Sequence, residues 1–139
     1  MGRAVGWLMY AIIDSLEFIP NENDKAKIEE AFIKIAKDTL DYLRKDGYFS
    51  WQLTALEGPK DTSATAMIGY ALKKGSNLLD DSNLFSTKNE QQIKKAIINS
   101  CRYGKIYDCS DECEGFSQYP QVYGAYPWSL GPATRFLII

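Results

Sequence analysis

The sequence predicts an all-α fold of paired helices, and three observations carry that prediction. Five segments place apolar residues at helical spacing between recognisable start and stop signals. Their character alternates along the chain: apolar on nearly every face, amphipathic, small and apolar, amphipathic, apolar again. A buried layer and an exposed layer therefore take turns, as in antiparallel helix pairs with one inner and one outer member. Such pairs build helical solenoids and closed α/α toroids. The residues show no fixed-period repeat, which disfavours tetratricopeptide and ankyrin arrays.

The first helix is expected from about Ala4 to Phe18, ending before Pro20, because proline cannot continue a helix. The second, from about Asp24 to Lys45, carries Ile28, Phe32, Ile35, Ala36, Leu40 and Leu43 on one face and closes on Gly47. The third, from about Thr62 to Lys74, closes on Gly75. Its small residues (Ser63, Ala64, Ala66, Gly69 and Ala71) admit close neighbours. A capping box at Thr87-Lys-Asn-Glu90 opens the fourth, which runs through Ile93 and Ala96 to Ile98 and closes on Gly104. The fifth begins after Pro127 or after Pro132, and the sequence leaves both starts open.

Composition narrows the function. The 139 residues fit a single domain, 1–139, large enough to bury a core without disulfide or metal staples. A net charge of -2 provides no basic field for a phosphate backbone, which excludes nucleic acid as a partner. The chain has no histidine, so neither a histidine-based nucleophile nor a histidine metal ligand is available, and proton transfer would fall to carboxylates, tyrosines or lysines. Three cysteines, Cys101, Cys109 and Cys113, are an odd number and point to a reducing compartment, the cytoplasm. The acidic stretch DCSDECEG matches neither structural zinc nor a calcium loop, so no metal and no cofactor are expected. Arg3 and the apolar run after it imitate a signal peptide, but Asp14 and Glu17 stand where a small-residue cleavage site would be. The run is also too short to cross a membrane.

The connections hold the candidate binding residues. One, YFSWQLTALEGPKD, contains Trp51. The other, between the fourth and fifth helices, is packed with aromatics: Tyr103, Tyr107, Phe116, Tyr119, Tyr123, Tyr126 and Trp128. Long loops on a helical scaffold are where binding residues concentrate. Flat apolar faces with polar tips suit sugar rings, and sealing one end of the helical barrel is the other role open to these aromatics.

Three stretches carry a resemblance: RAVGWLMYAIIDSLEFIP, WQLTALEGPKDTSATAMIGYALKKG and YGAYPWSLGPATRFL. Their order and spacing resemble the C-terminal part of glycoside hydrolase family 105, the unsaturated rhamnogalacturonyl hydrolases, related to the unsaturated glucuronyl hydrolases of family 88. The resemblance implies an (α/α)6 toroid of which about half the ring, some three hairpins, is present. It implies removal of a 4,5-unsaturated uronic acid from the end of an oligosaccharide left by a polysaccharide lyase, as in pectin degradation. An aspartate protonates the enol-ether double bond and water adds at the other carbon. The hemiketal so formed opens and releases the sugar.

Carried over by position, Arg3 and Trp7 line the substrate subsite. A guanidinium can pair a uronate carboxylate and an indole can stack on the ring, with Gly6 admitting a neighbouring segment between them. Trp51, Tyr123 and Trp128 are further substrate-binding candidates. Asp14 and Glu17 have no role in the family pattern and are read as structural or at the rim. The family's general acid has no counterpart here, so the chain alone is expected to be inactive. Either a homodimer or a complementing N-terminal half is expected to close the ring. The alternative reading is a non-catalytic helical carbohydrate-binding or scaffold domain.

Overall fold

The computed structural model describes residues 1–111 and 122–139. Among them lie five α-helices: α1 (Gly2–Ser15), α2 (Glu22–Leu40), α3 (Thr62–Leu78), α4 (Thr87–Asn99) and α5 (Pro127–Ile138). A 3-10 turn, Leu16–Phe18, extends α1. Between α4 and α5 the described residues include four two-residue strands: β1 (Cys101–Arg102), β2 (Lys105–Ile106), β3 (Cys109–Ser110) and β4 (Tyr123–Gly124). The pairs β1–β2 and β3–β4 are each antiparallel.

The alternation expected from the sequence is present. α3 is buried on nearly all sides because it lies between α1 and α5, while α2 and α4 pack outside. The three central helices form the inner wall of a partial all-α toroid. Small residues set their spacing. A Cβ on Gly6 would stand 2.8 Å from Met67 Cβ, so α1 reaches α3 only with glycine there. Met9, Ile13 and Leu16 continue the same face of α1 into the core, each fully buried and contributing about 1.5–3 kcal/mol.

Several boundaries differ from expectation, for local reasons. α2 starts at Glu22, because the Asn21 side chain accepts from the amides of Asn23 and Asp24, and it ends five residues before Lys45. Gly47 sits beyond that end in a separate turn at φ +84. α3 runs through Gly75 to Leu78. Gly75 is a contact residue, because a Cβ there would collide with the Phe32 ring. α4 is capped by Ser86, whose hydroxyl accepts from the Asn89 amide, and not by a box starting at Thr87. Gly104 belongs to the β1–β2 turn, with Tyr103 and Gly104 both at positive φ. α5 begins at Pro127 and carries Pro132 inside it. Cys113, Phe116 and Tyr119 lie outside the described residues.

Candidate functional site

The N-terminal ends of α1, α3 and α5 meet around β3. Asp61 caps α3 and is almost fully buried. Its carboxylate accepts from the Ser63 and Ala64 amides and from the Ser110 hydroxyl at 2.6 Å, which ties β3 to α3. The Thr62 amide donates to the Asp108 carbonyl beside it. Arg3 ties the same strand to α1: its Nη1 donates to the Ser110 carbonyl at 2.7 Å and its Nη2 to the Asp111 carbonyl at 2.8 Å.

Arg3 also lies over the Trp128 indole, 4.9 Å from the ring centroid. Trp128 is in turn stacked on Tyr126, with centroids 4.7 Å apart and planes 7° off parallel. The acceptors of Arg3 are neutral carbonyls, and among the described residues it forms no ion pair with a carboxylate. A guanidinium has five N–H donors, and these two bonds use only part of that capacity.

Trp7, one turn further along α1, is 49% exposed and meets Tyr10 edge-on at 6.1 Å. Tyr123 pairs with Ser110 across β3–β4. Burial, and then the Asp61 charge, push its phenol up to about 12. Tyr126 is raised as well, by burial and by the adjacent Asp111 carboxylate. Both phenols are therefore neutral donors at pH 7. Cys109 is fully buried, and burial pushes its thiol up to about 11, so it is no nucleophile.

The structure thus brings Arg3, Trp7, Tyr123 and Trp128 to one end of the inner wall. The Trp51 carbonyl accepts from the Gly2 amide, while the residue lines a cavity of about 450 Å³ with Met1, Val5 and Tyr42, on the flank of α1 that carries Val5.

A second cluster lies deeper on the same wall. Asp14 is eleven residues past Arg3, about 16 Å along the helix. Its carboxylate accepts from the Tyr70 hydroxyl at 2.6 Å, Lys74 at 3.0 Å and Arg135 at 2.7 Å. Arg135 also donates to the Tyr10 hydroxyl and covers the Tyr10 and Tyr70 rings. Burial works against the Asp14 charge, but the hydrogen bonds from Tyr70, Lys74 and Arg135 overcome it and hold the pKa below the ordinary carboxylate value. Asp14 is thus ionised at neutral pH and cannot serve as a proton donor. Glu17 pairs with Lys74 at 3.1 Å. Both acids bind helices together.

Sequence reasoning missed Asp61 and Ser110. The signal for Asp61 was present, since an aspartate two residues before Ser63 at the mouth of a helix is an N-cap pattern. The role of Ser110 had no sequence signal, because it depends on contacts 49 and 107 residues distant.

Comparison with known proteins agrees with this architecture. The family model described as Glycosyl Hydrolase Family 88 matches residues 2–109. No curated protein matches the sequence. Two solved structures share the fold, each described as a possible member of the GH105 family. One is from Klebsiella pneumoniae, with a TM-score of 0.83, and the other is from Salmonella enterica serovar Paratyphi A, with a TM-score of 0.77. Each is 18% identical, and the match covers 98% of this chain and 38% of the other. The chain spans well under half the length of these neighbours.

Proposed function

Since the chain belongs to glycosyl hydrolase family 88, we propose that it forms the carboxylate-recognising part of a glycoside hydrolase that removes a 4,5-unsaturated uronic acid from oligosaccharide ends. The observation that carries the reading is the Arg3 guanidinium, fixed by two carbonyls and Trp128 yet carrying no anionic partner among the described residues. In the proposed complex its remaining N–H groups grip the uronate carboxylate, and the converging N-termini of α1 and α5 add a favourable field. The half-exposed Trp7 indole offers an apolar face to the sugar ring.

The acid that protonates the double bond comes from the part of the ring this chain does not carry. Asp14 and Glu17 are already spent on Lys74 and Arg135. Water then adds at the other carbon, and the resulting hemiketal opens and frees the remaining sugar. The test is the ultraviolet absorbance of an unsaturated uronyl disaccharide, which disappears with the double bond. Absorbance should fall only when the chain is combined with the rest of a toroid, and Arg3→Ala should stop it. Turnover that survives Arg3→Ala contradicts the reading.

A further inference from the structure

We infer that Asp61 is the positioning residue for Arg3: it sets the β3 carbonyl that aims the guanidinium, and Ser110 is the residue through which it acts. Resting on the family reading above, this deepens it by naming what holds the carboxylate-binding fork at its angle.

Arg3 is aimed by acceptors on β3 and the residue after it. Its Nη1 and Nη2 donate to the carbonyls of Ser110 and Asp111, so the plane of the fork follows the position of those two carbonyls. An arginine side chain otherwise samples many rotamers, and gripping a carboxylate through two parallel bonds requires one of them. The aim of Arg3 is therefore no firmer than the hold on β3. A two-residue strand paired with another of the same length has little stability of its own.

Ser110 supplies the hold. Its hydroxyl donates to Asp61 Oδ2 at 2.6 Å and its amide to Asp61 Oδ1 at 3.3 Å, while its carbonyl accepts from Arg3. One residue thus joins the N-terminus of α3 to the N-terminus of α1. Asp61 is itself immobilised: it is 1% exposed, and its Oδ1 also accepts from the Ser63 amide, the Ser63 hydroxyl and the Ala64 amide. Capping α3 needs that one oxygen, and serine or asparagine would cap as well. The second oxygen takes no part in the cap and bonds the Ser110 hydroxyl, which is the use that calls for a carboxylate here.

Two other features hold the near end of β3. The Thr62 amide donates to the Asp108 carbonyl, and Cys109 is fully buried. They keep the strand beside α3 when the Ser110 tie is cut, so that cut shifts the Arg3 acceptors without unfolding the site. The Asp111 amide donates to the Val122 carbonyl, next to β4. The Asp61–Ser110 bonds, by contrast, act from α3 on a residue that itself bears an Arg3 acceptor.

The test reads Arg3 in the free chain, as the rate of guanidinium rotation about the Nε–Cζ bond by NMR with labelled arginine, the signal being assigned by its loss in Arg3→Gln. Ser110→Ala should speed the rotation at least tenfold, with helix content unchanged by circular dichroism. Asp61→Asn keeps a capping oxygen and should speed it less, because its Nδ2 can still donate to Ser110 Oγ. Should Ser110→Ala lose helix content, Asp61→Asn carries the same comparison. Ser63→Ala removes a hydroxyl from the same carboxylate on the cap side and should leave the rate unchanged. Ser110→Ala should also weaken binding of an unsaturated uronyl disaccharide at least fivefold and leave that of its carboxyl-reduced analogue unchanged. A rotation rate unmoved by Ser110→Ala and Asp61→Asn, an equal acceleration by Ser63→Ala, or an equal loss for both ligands would each overturn the inference. A wild-type chain that binds both ligands alike removes the hydrolase reading and leaves the positioning role to be decided by the rotation rates.

Discussion

Arg3 and Arg135 occupy the same concave wall and use their surroundings in opposite ways. Each guanidinium lies against aromatic rings, Trp128 for Arg3 and Tyr10 with Tyr70 for Arg135. Arg135 then donates to the Asp14 carboxylate, within a cluster where Lys74 supplies a second cation and Glu17 a second anion. Arg3 donates to two backbone carbonyls, which fix its orientation without neutralising it. The deep arginine ties α5 to α1 through a carboxylate, whereas the one at the mouth is held by neutral acceptors and an indole. The two guanidiniums thus differ in the charge of what they are bonded to, and the proposed function assigns the substrate to the one on neutral supports.

The largest expected effect tests the mouth. In a completed ring, Arg3→Ala should lower kcat/KM at least about a hundredfold, the loss of a charge-assisted pair worth about 2–3 kcal/mol. Steady-state kinetics checks this, and Arg3→Lys should recover little, because an ammonium does not reproduce the planar fork.

Next comes the helix that carries both arginine environments. Gly6→Ala pushes α1 off Met67 and should cost about 2 kcal/mol in urea unfolding, because the contact is helix against helix and leaves little room to relax.

The deep cluster should show a smaller effect, with a pH signature the mouth lacks. Asp14→Asn removes the shared anion and should cost about 1–2 kcal/mol, the lower end for a paired charge because Arg135 is 46% exposed. The folded-state pKa of Asp14 lies below its unfolded value. Its contribution is therefore fully present above the ordinary carboxylate range and lost as pH falls through the depressed value. Denaturation of the wild type across acid pH should show this loss, and Asp14→Asn should flatten it.

The smallest effect concerns the support. Trp128→Leu removes the ring beneath Arg3 while leaving both carbonyl bonds, and calorimetry should find uronate binding weakened about fivefold, near 1 kcal/mol.

Much of the scaffold was readable because helix spacing and caps are local properties. The alternation of faces led to the inner and outer layers, and RAVGW placed Arg3 and Trp7 on one turn of α1. Misreadings came where one residue type serves two purposes. Gly75 resembles a helix stop but is a contact with Phe32, and Gly104 ends no helix because it turns a hairpin. Strands of two residues have no detectable period. The Asp14 network joins residues 56, 60 and 121 positions apart, and no local pattern announces such a meeting.

The central claim, that Arg3 and not Arg135 is the anchor for a sugar carboxylate, is tested most directly by an NMR titration of the chain. Two ligands are compared, an unsaturated uronyl disaccharide and its carboxyl-reduced analogue, with the indole N–H signals of Trp7 and Trp128 as reporters. The account predicts tighter binding of the carboxylate form, a preference erased by Arg3→Gln and kept by Arg135→Gln. A preference that persists in Arg3→Gln, or that disappears only in Arg135→Gln, would contradict it.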